Sequence, residues 1–329
     1  MAVLVCGGAG YIGSHCVFGL IEKGEQVVVV DNLSNGHLDA IPGEARFYEG
    51  DIRDMDFMDR VFQENDITEV IHFAANSLVG ESMTDPLKYY ENNVYGTMVL
   101  LQSMIRNKVE KIVFSSTAAV YGEPKRVPIL EDDETNPTNT YGETKLAMEK
   151  MMKWTDTAHG VRYVSLRYFN VAGAQKDGVI GEDHHPETHL IPLVLQVPLG
   201  KREKIMVYGD DYATADGTCI RDYIHVEDLI DGHLKALQYL REGNRSNIFN
   251  LGNGTGFSVN EIISAAEKAT GLAIRKETVG RRAGDPAVLV ASSAKAKEVL
   301  GWVPKHTEIV EIIASAWKFH ETHKEGYNK

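Results

Sequence analysis

Tyr141 and Lys145 stand four residues apart in Tyr141-Gly142-Glu143-Thr144-Lys145, and on a helix that spacing puts two side chains on one face. An ammonium held beside a phenol favours its ionised form, so the pair could take a proton from an alcohol. A free tyrosine leaves only about one part in a thousand as phenolate at pH 7; poising it near neutrality takes roughly three units, or about 4 kcal/mol. The same spacing recurs at Tyr121-Gly122-Glu123-Pro124-Lys125, so the bare pattern is weak. Gly122 and Pro124 prevent a helix interior there, whereas residues 143–153 hold good helix formers behind Asn136-Pro137-Thr138-Asn139-Thr140. The pair on a helix is Tyr141 with Lys145.

A second constellation opens the chain. Gly8-Ala9-Gly10-Tyr11-Ile12-Gly13 has dinucleotide-binding spacing, and Gly7, Gly10 and Gly13 recur every third residue. The run follows a predicted strand, opens a helix and precedes a second strand ending at Asp31, the context the motif needs. Its glycines permit a tight turn and close backbone approach to a pyrophosphate, with helix N–H groups aimed at the phosphates. Asp31 would accept hydrogen bonds from the adenine ribose and repel a 2'-phosphate, which favours NAD over NADP. The positive ring of an oxidised nicotinamide is then a second cation, beside Lys145, to help ionise Tyr141.

These groups need a scaffold. Residues 3–6, 26–31, 46–49, 69–73, 111–115 and 163–167 read as strands, alternating with helical stretches at 13–23, 56–65, 86–107 and 141–159. The alternation predicts a doubly wound α/β fold, a parallel sheet covered on both faces. Beyond Arg167 the regularity is lost. Short strands at 204–207 and 248–251, with helices at 225–240, 259–270 and 308–320, read as a smaller α/β lobe. The expected division is a dinucleotide-binding domain over 1–170 and a substrate-binding lobe over 171–329, some segments of which pack back on the first.

Composition narrows the function. The 329 residues are 43% hydrophobic, enough for a sizeable core, and carry a formal charge of -13 without basic blocks. That balance argues against nucleic acid or an anionic membrane as partner. No apolar run approaches the roughly 20 residues that span a bilayer, and the first strand starts almost at Met1, with no signal peptide ahead of it. Cys6, Cys16 and Cys219 have no metal or redox spacing, so a reducing cytoplasm is expected.

With the glycine motif, Ser115-Ser116-Thr117 after a strand, and Tyr141 and Lys145 in place, the chain resembles the extended short-chain dehydrogenase/reductase family, and within it the UDP-glucose 4-epimerases. The likeness spans nearly the whole length: Asp31-Asn32-Leu33-Ser34-Asn35-Gly36, Gly50-Asp51-Ile52, His72-Phe73-Ala74-Ala75, Tyr121-Gly122, Tyr168-Phe169-Asn170, residues 209–226, and Arg281-Arg282-Ala283-Gly284-Asp285. The resemblance implies interconversion of UDP-glucose and UDP-galactose by transient oxidation at sugar C4, rotation of the 4-keto sugar and return of the hydride. It makes Tyr141 the base, Lys145 the group that lowers its pKa and holds the nicotinamide ribose, and Thr117 the hydrogen-bond partner of the 4-oxygen.

The same resemblance places NAD on Gly7, Gly10, Tyr11, Ile12, Gly13, Asp31, Asn32, Ser34, Asn35, Gly36, Asp51, Ile52, Phe73, Ala74, Ala75, Ser77, Asn92 and Phe169, together with the three catalytic residues. It places the nucleotide sugar on Asn170, His189, Leu190, Met206, Tyr208, Arg221, Arg282, Asp285 and Leu289. Two arginines can neutralise a diphosphate through forked hydrogen bonds. Three positions depart from the family pattern. Ser77 stands where many members have a lysine, His189 where asparagine is common, and Leu289 where a bulky tyrosine in some members excludes N-acetyl sugars. Leu289 therefore implies room for UDP-N-acetylglucosamine and UDP-N-acetylgalactosamine as secondary substrates.

Glu182-Asp183-His184-His185-Pro186-Glu187-Thr188-His189 invites a metal reading, but Pro186 breaks the helix that would align His185 with His189; a solvated loop and no metal are expected. Met148, Met151, Met152 and Trp154 read as core or interface packing. In the resembled family, this helix and residues 86–107 form a homodimer contact. A nucleotide-sugar 4,6-dehydratase is the nearest alternative, yet its carboxylates after the active-site threonine are replaced by Ala118-Ala119. A silent NAD-binding regulator would not need to keep Thr117, Tyr141 and Lys145 together.

Overall fold

A computed structural model of the chain describes residues 1–282 and 286–327. In its first half, strands β1 (Ala2–Cys6), β2 (Gln26–Asp31), β3 (Arg46–Glu49), β4 (Ile67–His72), β5 (Lys111–Ser115) and β6 (Arg162–Tyr168) alternate with helices α1 (Tyr11–Glu22), α2 (Met55–Glu64), α3 (Val79–Thr84), α4 (Pro86–Tyr89), α5 (Gly96–Arg106) and α6 (Thr140–His159). Next come β7 (Asn170–Ala172), α7 (Leu190–Leu195), β8 (Ile205–Tyr208), β9 (Ile220–His225), α8 (Val226–Arg241), β10 (Asn247–Leu251) and β11 (Gly256–Ser258). The chain ends with α9 (Val259–Thr270), β12 (Lys276–Val279), β13 (Val288–Leu289), α10 (Ala294–Leu300) and α11 (Ile309–Thr322).

The large sheet has seven strands in the order β10-β6-β5-β4-β1-β2-β3, and every pairing in it is parallel. Parallel strands are buried on both faces, which is why β1 reads Ala-Val-Leu-Val-Cys without a polar residue. One face packs against α2, α5 and α6 and the other against α1 and α8, each over its own apolar cluster. This is a doubly wound α/β sheet. The order reverses between β1 and β4, and ligands of such sheets sit beyond the strand ends at that crevice. Residues 248–251, grouped by the sequence with the second lobe, lie in β10 at the edge of this sheet, paired with β6.

The remaining strands form two small sheets, one with β9 between β11 and β13 and joined by β7, the other pairing β12 with β8. A third core holds them together, with Ile191, Val194 and Leu195 of α7, Ile262 and Ile263 of α9, and Ile312 and Ile313 of α11. The expected continuous helix over 86–107 is interrupted. Residues Tyr90–Tyr95 form a π-helical turn between α4 and α5, a feature that often accompanies function. It turns Asn93 inward, where its side chain accepts from Asn76 N at 2.8 Å and donates to Thr144 Oγ1 at 3.1 Å.

Candidate active site

The turn after β1 is built for close approach. Gly7 has φ +81°, and a Cβ there would lie 2.6 Å from Ala74 N; a Cβ at Gly13 would lie 2.0 Å from Gly7 O. Those two glycines are required by the chain itself. Gly10 is different, since a Cβ there would meet only Gly7 O, at an ordinary 3.5 Å. Gly10 nevertheless lines a cavity with Gly7, Asp31, Asn32, Ser34, Asn35, Gly36, Asp51, Ile52, Phe73, Ala74, Ala75, Ser77 and Asn92. The bare backbone at Gly10 thus leaves space for what the cavity receives, and the first turn of α1 adds N–H groups without intrahelical partners. The cradle fits a dinucleotide.

Asp31 closes the far end of β2. Its Oδ2 accepts from Ala9 N at 3.0 Å and its Oδ1 from Leu33 N at 2.8 Å. Burial raises its pKa, and the backbone N–H groups of Leu33, Ala9 and Asn32 oppose the rise. Asp51 is tied to Arg53 at 2.7 Å, which holds its carboxyl below the usual range. Tyr11 does not turn its ring to the cavity wall: its hydroxyl donates to Gly173 O at 2.6 Å. Ile12 packs against the α1-side core, so Tyr11, Ile12 and Gly13 can serve a phosphate only through backbone.

The catalytic candidates meet at the ends of β5 and α6. Asn139 caps α6 by accepting from Gly142 N at 2.9 Å, and Ser82 accepts from Tyr141 N at 3.1 Å. Thr117 Oγ1 accepts from Ala119 N at 3.1 Å, and its side chain lies close enough to the Tyr141 phenol to favour the ionised form. Lys145 is 3% exposed. Its ammonium donates to Ser115 O at 2.8 Å and stands 5.9 Å from the Tyr141 ring centroid.

Burial pushes the Tyr141 phenol up to about 12, against the lowering effect of the Thr117 hydrogen bond. Burial also pushes Lys145 down to about 7, against the raising effect of Glu149. The spacing of the pair predicts that Lys145 lowers the tyrosine; in the chain alone burial sets the direction, and the opposing influence is Thr117.

Sequence reasoning missed the groups behind this trio. One turn below Lys145, Glu149 forms a buried forked pair with Arg167, at 2.9 Å and 2.6 Å, and accepts from Ser116 Oγ at 2.5 Å. The Arg167 guanidinium also lies over the Tyr121 ring, 4.8 Å from its centroid. The repeat Tyr141, Lys145, Glu149 at i, i+4 and i+8 was the available signal.

The nucleotide-sugar candidates are more scattered. Phe169 and Leu289 pack on one small cluster with Ala118, Val120, Tyr121, Ile129 and Leu146. Leu289 pairs in register with Arg221, whose guanidinium donates to Pro286 O at 2.8 Å. The Asn170 amide donates to Asp222 O at 3.1 Å. Met206 and Tyr208 lie on β8, and Arg282 stacks over the Tyr208 ring at 4.7 Å. Leu190 opens α7. Among these positions His189 lies on the wall of the dinucleotide cavity; Asp285 lies outside the described residues.

Residues 3–252 match the NAD dependent epimerase/dehydratase family, and the chain belongs to that family. It is 57% identical to the UDP-glucose 4-epimerase of Halalkalibacterium halodurans over 328 residues, covering 100% of this chain and 98% of that protein. A solved structure of a UDP-glucose 4-epimerase superimposes with a TM-score of 0.99 at 59% identity, covering 100% of both chains. A UDP-glucose 4-epimerase from Bifidobacterium longum, solved in complex with NAD+ and UDP, superimposes with a TM-score of 0.93 at 41% identity, covering 99% of this chain and 100% of that one.

Proposed function

We propose that the chain is an NAD-dependent isomerase that interconverts UDP-glucose and UDP-galactose at C4. The observation that carries the reading is the convergence of Thr117, Tyr141 and Lys145 at the ends of β5 and α6, linked to the glycine-lined cavity through Asn93, which bonds both Thr144 and the wall residue Asn76. When bound, NAD supplies a reversible hydride acceptor. The backbone of Gly7, Gly10, Tyr11, Ile12 and Gly13 holds its pyrophosphate, Asp31 and Asn32 its adenine ribose, Asp51 and Ile52 its adenine, and Phe73, Ala74, Ala75, Asn92 and Phe169 the remainder. Ser34, Asn35, Gly36 and Ser77 complete the wall.

Tyr141 takes the proton of the sugar 4-hydroxyl and later returns one to the 4-oxygen. Thr117 orients that oxygen, and Lys145 supplies positive charge to the phenol and a donor to the nicotinamide ribose. Buried electrostatics are strong because water is excluded, so a pair that is mismatched in the chain alone becomes a working base once further positive charge adjoins it. Arg221 and Arg282 neutralise the substrate diphosphate, and Asn170, Leu190, Met206, Tyr208, Leu289 and Asp285 contact the nucleotide sugar.

Leu289 is partly buried beside Phe169 and is smaller than a tyrosine, which supports secondary turnover of the N-acetylhexosamine forms. A homodimer through α4, α5 and α6 is supported by exposed apolar side chains on all three helices, Leu87, Met98 and Trp154. Light scattering reads it: dimer mass for the parent chain and monomer for Leu87→Glu with Trp154→Glu. No helix among the described residues is long and apolar enough to cross a membrane, and the three cysteines form no disulfide, which supports a cytoplasmic setting.

The test is incubation of the purified protein with UDP-galactose and no added NAD. Formation of UDP-glucose is expected. Failure to convert it even with NAD supplied rejects the reading.

A further inference from the structure

Between β7 and α7 the chain makes a turn in which Pro186 prevents the helix that would have paired His185 with His189. The turn instead brings a different set together. His184 Nδ1 and His189 Nδ1 both face one oxygen of Glu182, at 3.2 Å and 2.5 Å. Glu187 stands on the other side, 3.7 Å from His184 Nδ1 and 3.8 Å from His189 Nδ1. All four donor atoms lie within 4.8 Å of one another. We propose that Glu182, His184, Glu187 and His189 form a site for a divalent cation of zinc type, which fastens this turn at the mouth of the cofactor cavity.

The geometry suits that ion. With metal–ligand bonds of about 2.0–2.2 Å, neighbouring donors of a tetrahedral site are about 3.4 Å apart, and the observed separations straddle that value. Two carboxylates offset a dication, and two imidazoles with two carboxylate oxygens are a ligand set zinc takes readily. Glu182 is 4% exposed, and the buried charge is met by the His184 and His189 imidazoles beside it, whose protons a dication would displace. The ligands are also supported from behind. Glu187 Oε1 accepts from Thr188 N and His189 N at 2.7 Å and 2.8 Å, and the His184 ring rests edge-on against Tyr11, whose hydroxyl is fixed to Gly173. Such outer contacts orient metal ligands.

A second group of donors, His225, Glu227 and His306, does not share this character. His225 Nδ1 already accepts from Glu227 N, and its Nε2 faces Ser315 Oγ. The role that follows for the first cluster is structural. His184, His185, Pro186 and His189 line the cavity, and Leu190 begins α7 directly after them. An ion at this point fixes that wall and the start of α7, and it makes His189 a ligand rather than a substrate contact.

The test measures metal on the full-length, NAD-loaded protein. Elemental analysis after purification in zinc-supplemented medium is expected to find zinc in a one-to-one ratio with chain. After stripping with a chelator, titration with Co2+ alone is expected to give the visible bands of a tetrahedral nitrogen and oxygen site. His184→Ala and Glu187→Gln are each expected to weaken zinc binding by about 100-fold or more. The proposal is overturned if the parent protein takes up no stoichiometric zinc or cobalt when either is supplied in excess. It is equally overturned if both variants bind as the parent does. Should either variant lose NAD or fold poorly, the cobalt spectrum of the parent decides, and an octahedral spectrum rejects the site.

Discussion

The cofactor cradle and the nucleotide-sugar side are built by opposite means. The cradle is mostly backbone: Gly7 and Gly13 exist because side chains would strike Ala74 and Gly7, whereas Gly10 meets no such obstacle and lines the cavity. The sugar side is mostly side chains, drawn from β7, α7, β8, β9 and β13 and anchored to main-chain oxygens, as Arg221 is to Pro286 O and Asn170 to Asp222 O. A site made of backbone is rigid and tolerates few substitutions. A site made of side chains can change specificity one residue at a time.

The sharpest way to break this picture lies where the two halves meet. Tyr141→Phe is expected to lower kcat by about 10³-fold, within the range for losing a positioned proton-transfer group, while resident NAD and UDP affinity stay at parent levels. A variant that loses NAD as well would mean that Tyr141 belongs to the cradle. Behind it, Glu149→Gln leaves Arg167 buried without its partner, the two side chains being 4% exposed. Breaking such a pair costs about 3–5 kcal/mol, to be read by urea unfolding.

Two glycines then test the cradle itself. Gly13→Ala places a Cβ 2.0 Å from Gly7 O and is expected to unfold the turn or abolish soluble expression. At Gly10, where φ is -75°, alanine is conformationally allowed, so Gly10→Ala is expected to change stability by no more than about 1 kcal/mol and yet lose NAD during purification. If Gly10→Ala retained NAD, bare backbone there would not serve the ligand. The smallest effect is on the sugar side. Leu289→Tyr is expected to suppress turnover of UDP-N-acetylglucosamine while UDP-galactose turnover stays within about tenfold, since pocket contacts of this kind discriminate by roughly 10–200-fold.

The same contrast decides what the sequence could reveal. The glycine turn was legible because Gly7, Gly10 and Gly13 are neighbours in the chain and Gly13 faces Gly7 O; the demand that Ala74 makes on Gly7 was not. The α/β alternation was legible because hydrophobic period separates strand from helix. The π-helical turn was not, since nothing in residues 90–95 shows that Asn93 must turn inward to meet Asn76 and Thr144, contacts supplied by distant segments. Strand β10 was placed with the wrong neighbours for a related reason: a short apolar run carries no label for its sheet. The turn at 182–189 shows the limit of helical spacing as a guide, because Pro186 removed one pairing of histidines and the fold made another.

The central claim is that Tyr141 is not a poised base by itself. Burial holds it near 12 and Lys145 near 7, and positive charge around the phenol must bring its pKa back into the working range. The most direct measurement is the pH dependence of kcat for the parent enzyme and for Lys145→Met, both carrying NAD. Removing a cation disfavours phenolate, so the rise of kcat with pH is expected to move to higher pH in the variant, by about one unit or more. Parent and variant profiles that rise at the same pH, whatever their amplitudes, would contradict the account.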